Sequence, residues 1–502
     1  MGRRLNTTRF GVLLAAVGLV LLAAGPAQAA RFGLADDAGK YADDGGDAFL
    51  ADARALGTSE VRVTVVWDPL RPDTILEQSF LDRSLPVAKA RGIGVVFHVF
   101  PIQASAITAV PDAADGFAEF VEQLATTYPQ VRQYVIGNEP NQPRFWRPQF
   151  TASGKPRAAA TYLELLAKSY DALKSVDRGI RVIGLGLSGR GNDSPFARSN
   201  ASTSPVRFLR DLGAAYRASG RALPIMDELG IHPYPRTDRD SVLAGDRWPR
   251  AGVANLGRIK QALWDAFAGT GQPTVESGLR LRIDEIGWQV AVPKGRRAAY
   301  HGRETSSVTT EPAQASNYAK LIALAACDSS ISAVYLLHLR DDANLERFQS
   351  GLRRADGSAR PSYAAVRKAV AAAKRGCAGK RTMWHHATGV IGRRVDFRLG
   401  SGAQSRLRRS WGFTVTAGEE ASYTGAIFPA ASASASVRSL ATTGAPGAVA
   451  VASGRVRAGW KPRVRFPAGF LEPGRYVYAV RLRASMNSRR TSVLVSRAFV
   501  VR

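Results

Sequence analysis

Two short segments carry residues that could do chemistry together. In Val131-Arg132-Gln133-Tyr134-Val135-Ile136-Gly137-Asn138-Glu139-Pro140 an apolar run closes on a carboxylate, Glu139, and in Leu279-Arg280-Leu281-Arg282-Ile283-Asp284-Glu285-Ile286-Gly287-Trp288 a second run delivers Glu285. Two carboxylates presented at strand ends are what cleavage of a glycosidic bond needs, one to protonate the leaving oxygen and one to attack or to activate water. Either segment alone reads equally as a strand followed by the first polar residue of its loop. Their place in one repeating pattern separates the two readings.

That pattern runs from residue 31 to about 374. Short apolar runs at 31–35, 61–67, 94–100, 131–137, 180–187, 226–231, 281–286 and 331–339 alternate with amphipathic helical stretches at 46–56, 78–91, 112–127, 158–176, 206–218, 254–267, 312–327 and 362–373. Eight such βα units predict a (β/α)8 TIM barrel. A doubly wound open sheet is the competing architecture, and eight repeats ending on a helix favour closure. In a barrel the chemistry lies at the carboxyl ends of the strands. Those ends offer Arg62, Trp67 and Asp68 on the second strand, His98 on the third and Asn138 with Glu139 on the fourth. The sixth runs into His232-Pro233-Tyr234-Pro235, the seventh gives Glu285 and Trp288, and the eighth gives His338, Arg340 and Asp341. The two glutamates then face each other across the barrel mouth.

Asn138-Glu139-Pro140, Glu285 in Ile283-Asp284-Glu285-Ile286-Gly287-Trp288, and His232-Pro233-Tyr234 together resemble clan A of the retaining glycoside hydrolases, which includes the cellulase-like and β-xylosidase-like families. The resemblance spans the barrel region alone. It implies Glu139 as general acid/base and Glu285 as nucleophile, a covalent glycosyl-enzyme, release by water with retained configuration, and carboxyl groups about 5 to 5.5 Å apart. It also implies that Asn138 bonds the 2-hydroxyl of the sugar and that Arg62 keeps Glu285 ionised. Tyr234 is expected to donate to the nucleophile. His98 and His232 either orient a carboxylate or a sugar hydroxyl, or simply line the mouth.

Aromatic faces stack on pyranose rings but serve equally as core anchors. Trp146, in Arg144-Phe145-Trp146-Arg147, is the expected leaving-group platform, and Trp67, Trp248 and Trp288 fall on the same side; Trp264, inside a helical run, is expected in the core. The sequence departs from the clan pattern in having no tryptophan on the eighth strand. Asp284 is expected to point away from the site, because neighbouring strand residues face opposite ways.

Other chemistries are set aside. Gly184-Leu185-Gly186-Leu187-Ser188-Gly189 has the spacing of a dinucleotide loop, but Arg190-Gly191-Asn192-Asp193-Ser194-Pro195 cannot open the helix such a loop needs. The stretch is not a serine-hydrolase elbow either. His385-His386 lacks a third spaced ligand, so no metal and no cofactor are expected.

The amino terminus reads as a secretory signal over residues 1–30: Arg3, Arg4 and Arg9, an apolar run, then Ala27-Gln28-Ala29 as the cleavage pattern. The expected location is outside the cell or on its surface. Export permits Cys327 and Cys377 to pair, closing a loop worth about 4 kcal/mol on the chain-entropy model, with two buried thiols as the alternative.

After the barrel (31–375) and a connection (376–392), helical periodicity gives way to seven short β-rich runs at 394–399, 410–416, 422–428, 448–452, 463–466, 475–484 and 491–501. They predict an immunoglobulin-like all-β sandwich over residues 393–502. From Lys380 onward there are 21 Lys/Arg against 4 Asp/Glu, net +17, of a chain total of +28. Such a module could hold the chain to an anionic cell-wall polymer or a membrane surface; it also reads as a solvated basic face. No nucleic-acid motif is present. Two functions remain: an enzyme acting on a poly- or oligosaccharide, and a carbohydrate- or wall-binding protein on a barrel without catalysis.

Overall fold

The computed structural model describes residues 29–397, 411–433, 437, 440, 445–466 and 471–501. The secretory signal expected over 1–30 lies outside the described residues except for its last two positions, and two of the expected β runs extend into undescribed residues between 398 and 410.

Eight parallel strands close into a barrel: β1 (Arg31–Ala35), β2 (Glu60–Trp67), β3 (Gly94–Pro101), β4 (Gln133–Ile136), β5 (Arg181–Ser188), β6 (Glu228–His232), β7 (Arg280–Ile286) and β8 (Ile331–Leu336). Closure is made by β1 pairing with β8, Arg31 opposite Ala333 and Leu34 opposite Leu336. Each strand is followed by a helix of the outer ring, from Asp47–Ala55 to Pro361–Lys374, so all eight predicted βα units are present. The helices form because their apolar residues recur on one face: in Pro205–Ala218, Val206, Phe208, Leu209, Leu212 and Tyr216 are buried against the barrel.

The strands are buried on both faces, as continuous apolar runs predict. Inside, Val96, Val135, Ile183, Ala333 and Tyr335 make an apolar layer. Below it the floor is charged. Arg282, fully buried, donates to Glu228 at 2.8 Å, Gln133 at 2.6 Å and Tyr335 at 3.0 Å. Every member is partnered, which is the condition for burying such charge. Gln133 and Glu228 start their strands, and Tyr335 reaches down to Arg282 from near the end of its own, so this network closes the amino-terminal end of the barrel.

The carboxyl-terminal region holds two antiparallel sheets. Strands β9 (Arg394–Asp396), β10 (Trp411–Thr416), β11 (Ala421–Pro429), β12 (Ala450–Val456), β13 (Arg463–Phe466), β14 (Gly474–Ala484), β15 (Thr491–Val495) and β16 (Phe499–Val501) arrange as β13-β10-β9 and β12-β11-β14-β15, with β16 also on β14. Phe413 and Phe466 from one sheet pack against Ile427, Tyr478 and Val480 from the other. This is the sandwich expected, with one difference: the run read as a single strand at 491–501 is two, because at Ser496 a side-chain oxygen takes the Tyr478 N–H at 2.9 Å in place of a backbone carbonyl.

The connection is strapped to the barrel. His386 stacks on Trp264 at 3.9 Å between ring centres and bonds Glu276 through its backbone N–H and its Nδ1. Trp264 is therefore not a core residue as expected; its face is covered by the connection. Cys327 and Cys377 are joined, tying the end of helix Glu311–Cys327 to the residues after Pro361–Lys374. Between the domains Arg490 bonds Glu419 and reaches Asp265 on the barrel at 2.9 Å, and Arg207 meets Glu420 at 3.1 Å.

Candidate active site

The turn after β4 sets the first carboxylate. Gly137 adopts φ +80°, and a Cβ there would lie 2.7 Å from the Tyr162 ring, so glycine is required both for conformation and for space. Tyr162 donates to the Ile136 carbonyl at 2.5 Å and accepts from Leu185 N–H at 2.7 Å, clamping the turn from below. Two residues on, Glu139 itself sits at φ +41°, with its N–H bonded to Gly186 O at 3.0 Å. A left-handed glutamate costs about 1–3 kcal/mol, and such strain persists where the surroundings over-determine it.

The end of β7 sets the second. Alternation sends Asp284 into the barrel, where it is fully buried, and leaves the Glu285 side chain 20% exposed; that of Glu139 is 16% exposed. Both glutamates are therefore open to the mouth while the groups under them are sealed.

Glu285 is held from two sides. Arg62 donates to its Oε2 at 2.6 Å and the Tyr234 hydroxyl to its Oε1 at 2.7 Å. Burial alone would raise its pKa, but the His232 and Arg62 charges and these two hydrogen bonds hold it well below the ordinary carboxylate range. Arg62 also donates to His98 Nδ1 at 2.8 Å. A guanidinium cannot accept, so His98 is the neutral Nε2–H tautomer and donates to Gly137 O at 3.1 Å. Burial and the Arg62 charge keep its pKa well below the usual histidine value, in agreement.

The Glu139 carboxylate is held differently, among the described residues by one hydrogen-bond contact: His232 Nδ1 to its Oε1 at 3.1 Å. The other ring nitrogen of His232 lies 3.4 Å from Asp284 Oδ1. Burial would lower the His232 pKa, yet the Glu285 and Asp284 charges and the contacts to Asp284 and Glu139 raise it to about 10. The two ring nitrogens of His232 thus lie one toward each carboxylate, Nδ1 in hydrogen-bond contact with Glu139 and Nε2 at ion-pair distance from Asp284. Glycines make room for this: a Cβ at Gly230 would sit 2.8 Å from the Asp284 carboxylate and one at Gly186 3.5 Å from it.

Beside Glu139, Asn138 Oδ1 is buried and has no hydrogen-bond partner among the described residues. Leaving such an acceptor unmet costs about 1–3 kcal/mol, so a ligand group that donates to it is stabilised there. No group of three or more His, Cys, Asp or Glu among the described residues could hold a metal ion.

Of the residues singled out on the sequence, Arg62, His98, Tyr234 and Glu285 form one hydrogen-bonded set and His232 with Glu139 a second, the two meeting at Asp284, with Asn138 beside them. Trp146 and Trp288 do not join it as sugar platforms. Trp146 is 2% exposed, bonds Thr161 and packs edge-on against Tyr162; Trp288 is 1% exposed, bonds Asp240 O and packs on Tyr318. Trp67 is likewise core, on Phe117. Phe145 is the half-buried aromatic of that loop, edge-on to Phe100, which in turn packs on His98. Asp284 corrects the expectation in the other direction. It does face away from Glu285, but the opposite face of a barrel strand is the interior directly under the site, where it meets Arg62 at 4.0 Å and His232. His338 ends up half-buried after β8, where the tryptophan is missing, edge-on to Phe348.

No protein-family model matches the chain, and no curated protein sequence matches it. Solved structures do. They include a family 39 glycoside hydrolase from Bacteroides cellulosilyticus WH2, 17% identical, covering 79% of this chain and 74% of that one with a TM-score of 0.47. A monomeric β-xylosidase from Caulobacter crescentus CB15 is 13% identical over 91% of this chain and 96% of that one, TM-score 0.45. A glucosidase from Croceicoccus marinus is 13% identical over 93% and 95%, TM-score 0.46. The likeness is one of chain path, and no residue role is taken from it.

Proposed function

We propose that this chain is an exported retaining glycoside hydrolase that cleaves O-glycosidic bonds of a poly- or oligosaccharide, with Glu285 as nucleophile and Glu139 as general acid/base. The observation that carries the reading is the unequal treatment of two carboxylates at one barrel mouth. Glu285 is bonded by a guanidinium and a phenol and kept ionised; among the described residues the Glu139 carboxylate has a single hydrogen-bond contact, at Oε1.

In the first step Glu285 attacks the anomeric carbon while a proton on Glu139 passes to the leaving oxygen. His232 occupies Oε1 of Glu139, which leaves Oε2 to carry that proton. In the second step Glu139 takes a proton from water, which attacks the glycosyl-enzyme and releases a sugar of unchanged configuration. Asn138 Oδ1 accepts from the sugar 2-hydroxyl, a contact that strengthens as the ring becomes oxocarbenium-like. The amino-terminal pattern of residues 1–30 supports export, to the medium or the cell surface.

Incubation with a panel of 2-fluoro glycosyl fluorides, followed by intact mass and peptide mapping, tests this. A sugar adduct on Glu285 is expected. An adduct on another residue, or product of inverted configuration by NMR from a natural substrate, would refute the assignment.

A further inference from the structure

Two tryptophans and three guanidinium groups meet where the sandwich docks on the barrel, around a cleft of about 690 Å³. Arg247, Trp248 and Arg258 come from the barrel, Arg457 and Trp460 from the sandwich, and Glu420, paired with Arg207, also lines the wall. Arg457-Ala458-Gly459-Trp460 is a tight turn between β12 and β13, closed by Trp460 N–H to Arg457 O at 3.0 Å, with Gly459 at φ +76°. The turn sets the Arg457 guanidinium 5.1 Å above the Trp460 ring, and that ring stays 61% exposed. A tryptophan that exposed, in a constrained turn and beside a cation, presents a flat apolar face to whatever enters.

Across the cleft Trp248 is anchored by Arg207, 5.7 Å from its ring, whose charge is already met by Glu420. The other three cations are not met. Among the described residues no carboxylate is in ion-pair contact with the guanidinium groups of Arg247, Arg258 and Arg457, although the backbone N–H of Arg247 bonds Asp246 Oδ1 at 2.6 Å. Arg258 donates to the backbone carbonyls of Asp246 and Arg250; burial pulls its pKa below the ordinary arginine range, and the Asp246 charge offsets only part of that. Guanidinium groups without a carboxylate in ion-pair contact match planar anions such as carboxylates, which they bind in bidentate fashion. Aromatic faces match the apolar faces of pyranose rings.

We propose that this cleft binds an acidic glycan strand, one whose sugar rings carry carboxylates. A polyol phosphate would meet the cations and leave the ring faces unused; a bilayer is flat where the site is concave. Trp248 lies on the segment that leaves β6 through Tyr234. Binding there does not depend on whether Glu139 and Glu285 hydrolyse anything.

Affinity electrophoresis of the full chain through gels containing polygalacturonate, with a neutral glucan as control, tests it. Trp460→Ala and Arg457→Gln change exposed side chains and should each weaken retardation by at least about tenfold, while Arg475→Gln, an exposed site on β14 away from the cleft, leaves it unchanged. Equal weakening by Arg475→Gln would mean diffuse charge and overturn the proposal. So would retention of full binding by Trp460→Ala, or binding to a glycerol-phosphate polymer or anionic phospholipid vesicles as tight as to polygalacturonate.

Discussion

Glu139 and Glu285 differ in how many groups hold them, and that difference is open to measurement. A general acid contributes about 10²–10⁴ in rate, most where the leaving group is poor. Glu139→Gln is therefore expected to lower kcat/KM by that order on a natural alkyl glycoside and far less on a dinitrophenyl glycoside, whose leaving group needs no proton, while kcat falls on both because the water of the second step loses its base. Equal losses of kcat/KM on both substrates would remove Glu139 from the role of acid. His232 makes a second, pH-dependent statement. Its folded pKa of about 10 stands above its ordinary value of 6.5, so the stability it adds is fully present below about pH 6.5 and is lost as pH rises toward 10. Denaturant midpoints of the wild type should fall across that window, and His232→Gln should remove this part of the slope.

The turn after β4 places Glu139 by strain and close packing together. Gly137→Ala puts a methyl 2.7 Å from the Tyr162 ring at a left-handed φ. A destabilisation of about 1–3 kcal/mol is expected in urea unfolding. If the turn positions the acid, kcat should fall as well at temperatures where the variant is folded; unchanged kcat would show that Glu139 reaches its place without the turn. The strand β7 does two jobs by alternation. Glu285 goes to the mouth, and Asp284 goes under it to face the His232 ring, so one dipeptide supplies the proposed nucleophile and a buried carboxylate beneath it.

The two domains are joined by charge as well as by chain. Arg490, almost wholly buried, sits between Glu419 of the sandwich and Asp265 of the barrel. Removing it leaves two buried carboxylates facing each other, and breaking a buried pair of this kind costs about 3–5 kcal/mol. Arg490→Ala is expected to separate unfolding into two calorimetric transitions, where one shared transition in the wild type reflects the docked interface. A single transition of unaltered midpoint would mean that the ion triad contributes nothing to docking.

Much of this was readable as periodicity. Eight alternations of apolar run and amphipathic stretch define the barrel, because each strand is buried on both faces and each helix on one, and burial patterns are written directly in residue type. The carboxylates at the ends of β4 and β7 followed from that register, whereas Arg62 and Tyr234 as partners of Glu285 came from the clan resemblance. The fate of Trp146 and Trp288 did not, since a tryptophan next to a catalytic loop has the same sequence whether its ring faces a sugar or the core. Nor did the importance of Asp284: alternation correctly turns it away from Glu285, but only closure of the sheet makes that other face the space beneath the site, shared with residues more than fifty positions away in the chain. The pairing of Trp248 with Trp460 across the cleft depends on how two separately folding units dock, and docking is decided by surfaces such as Asp265 and Arg490 that have no local signature.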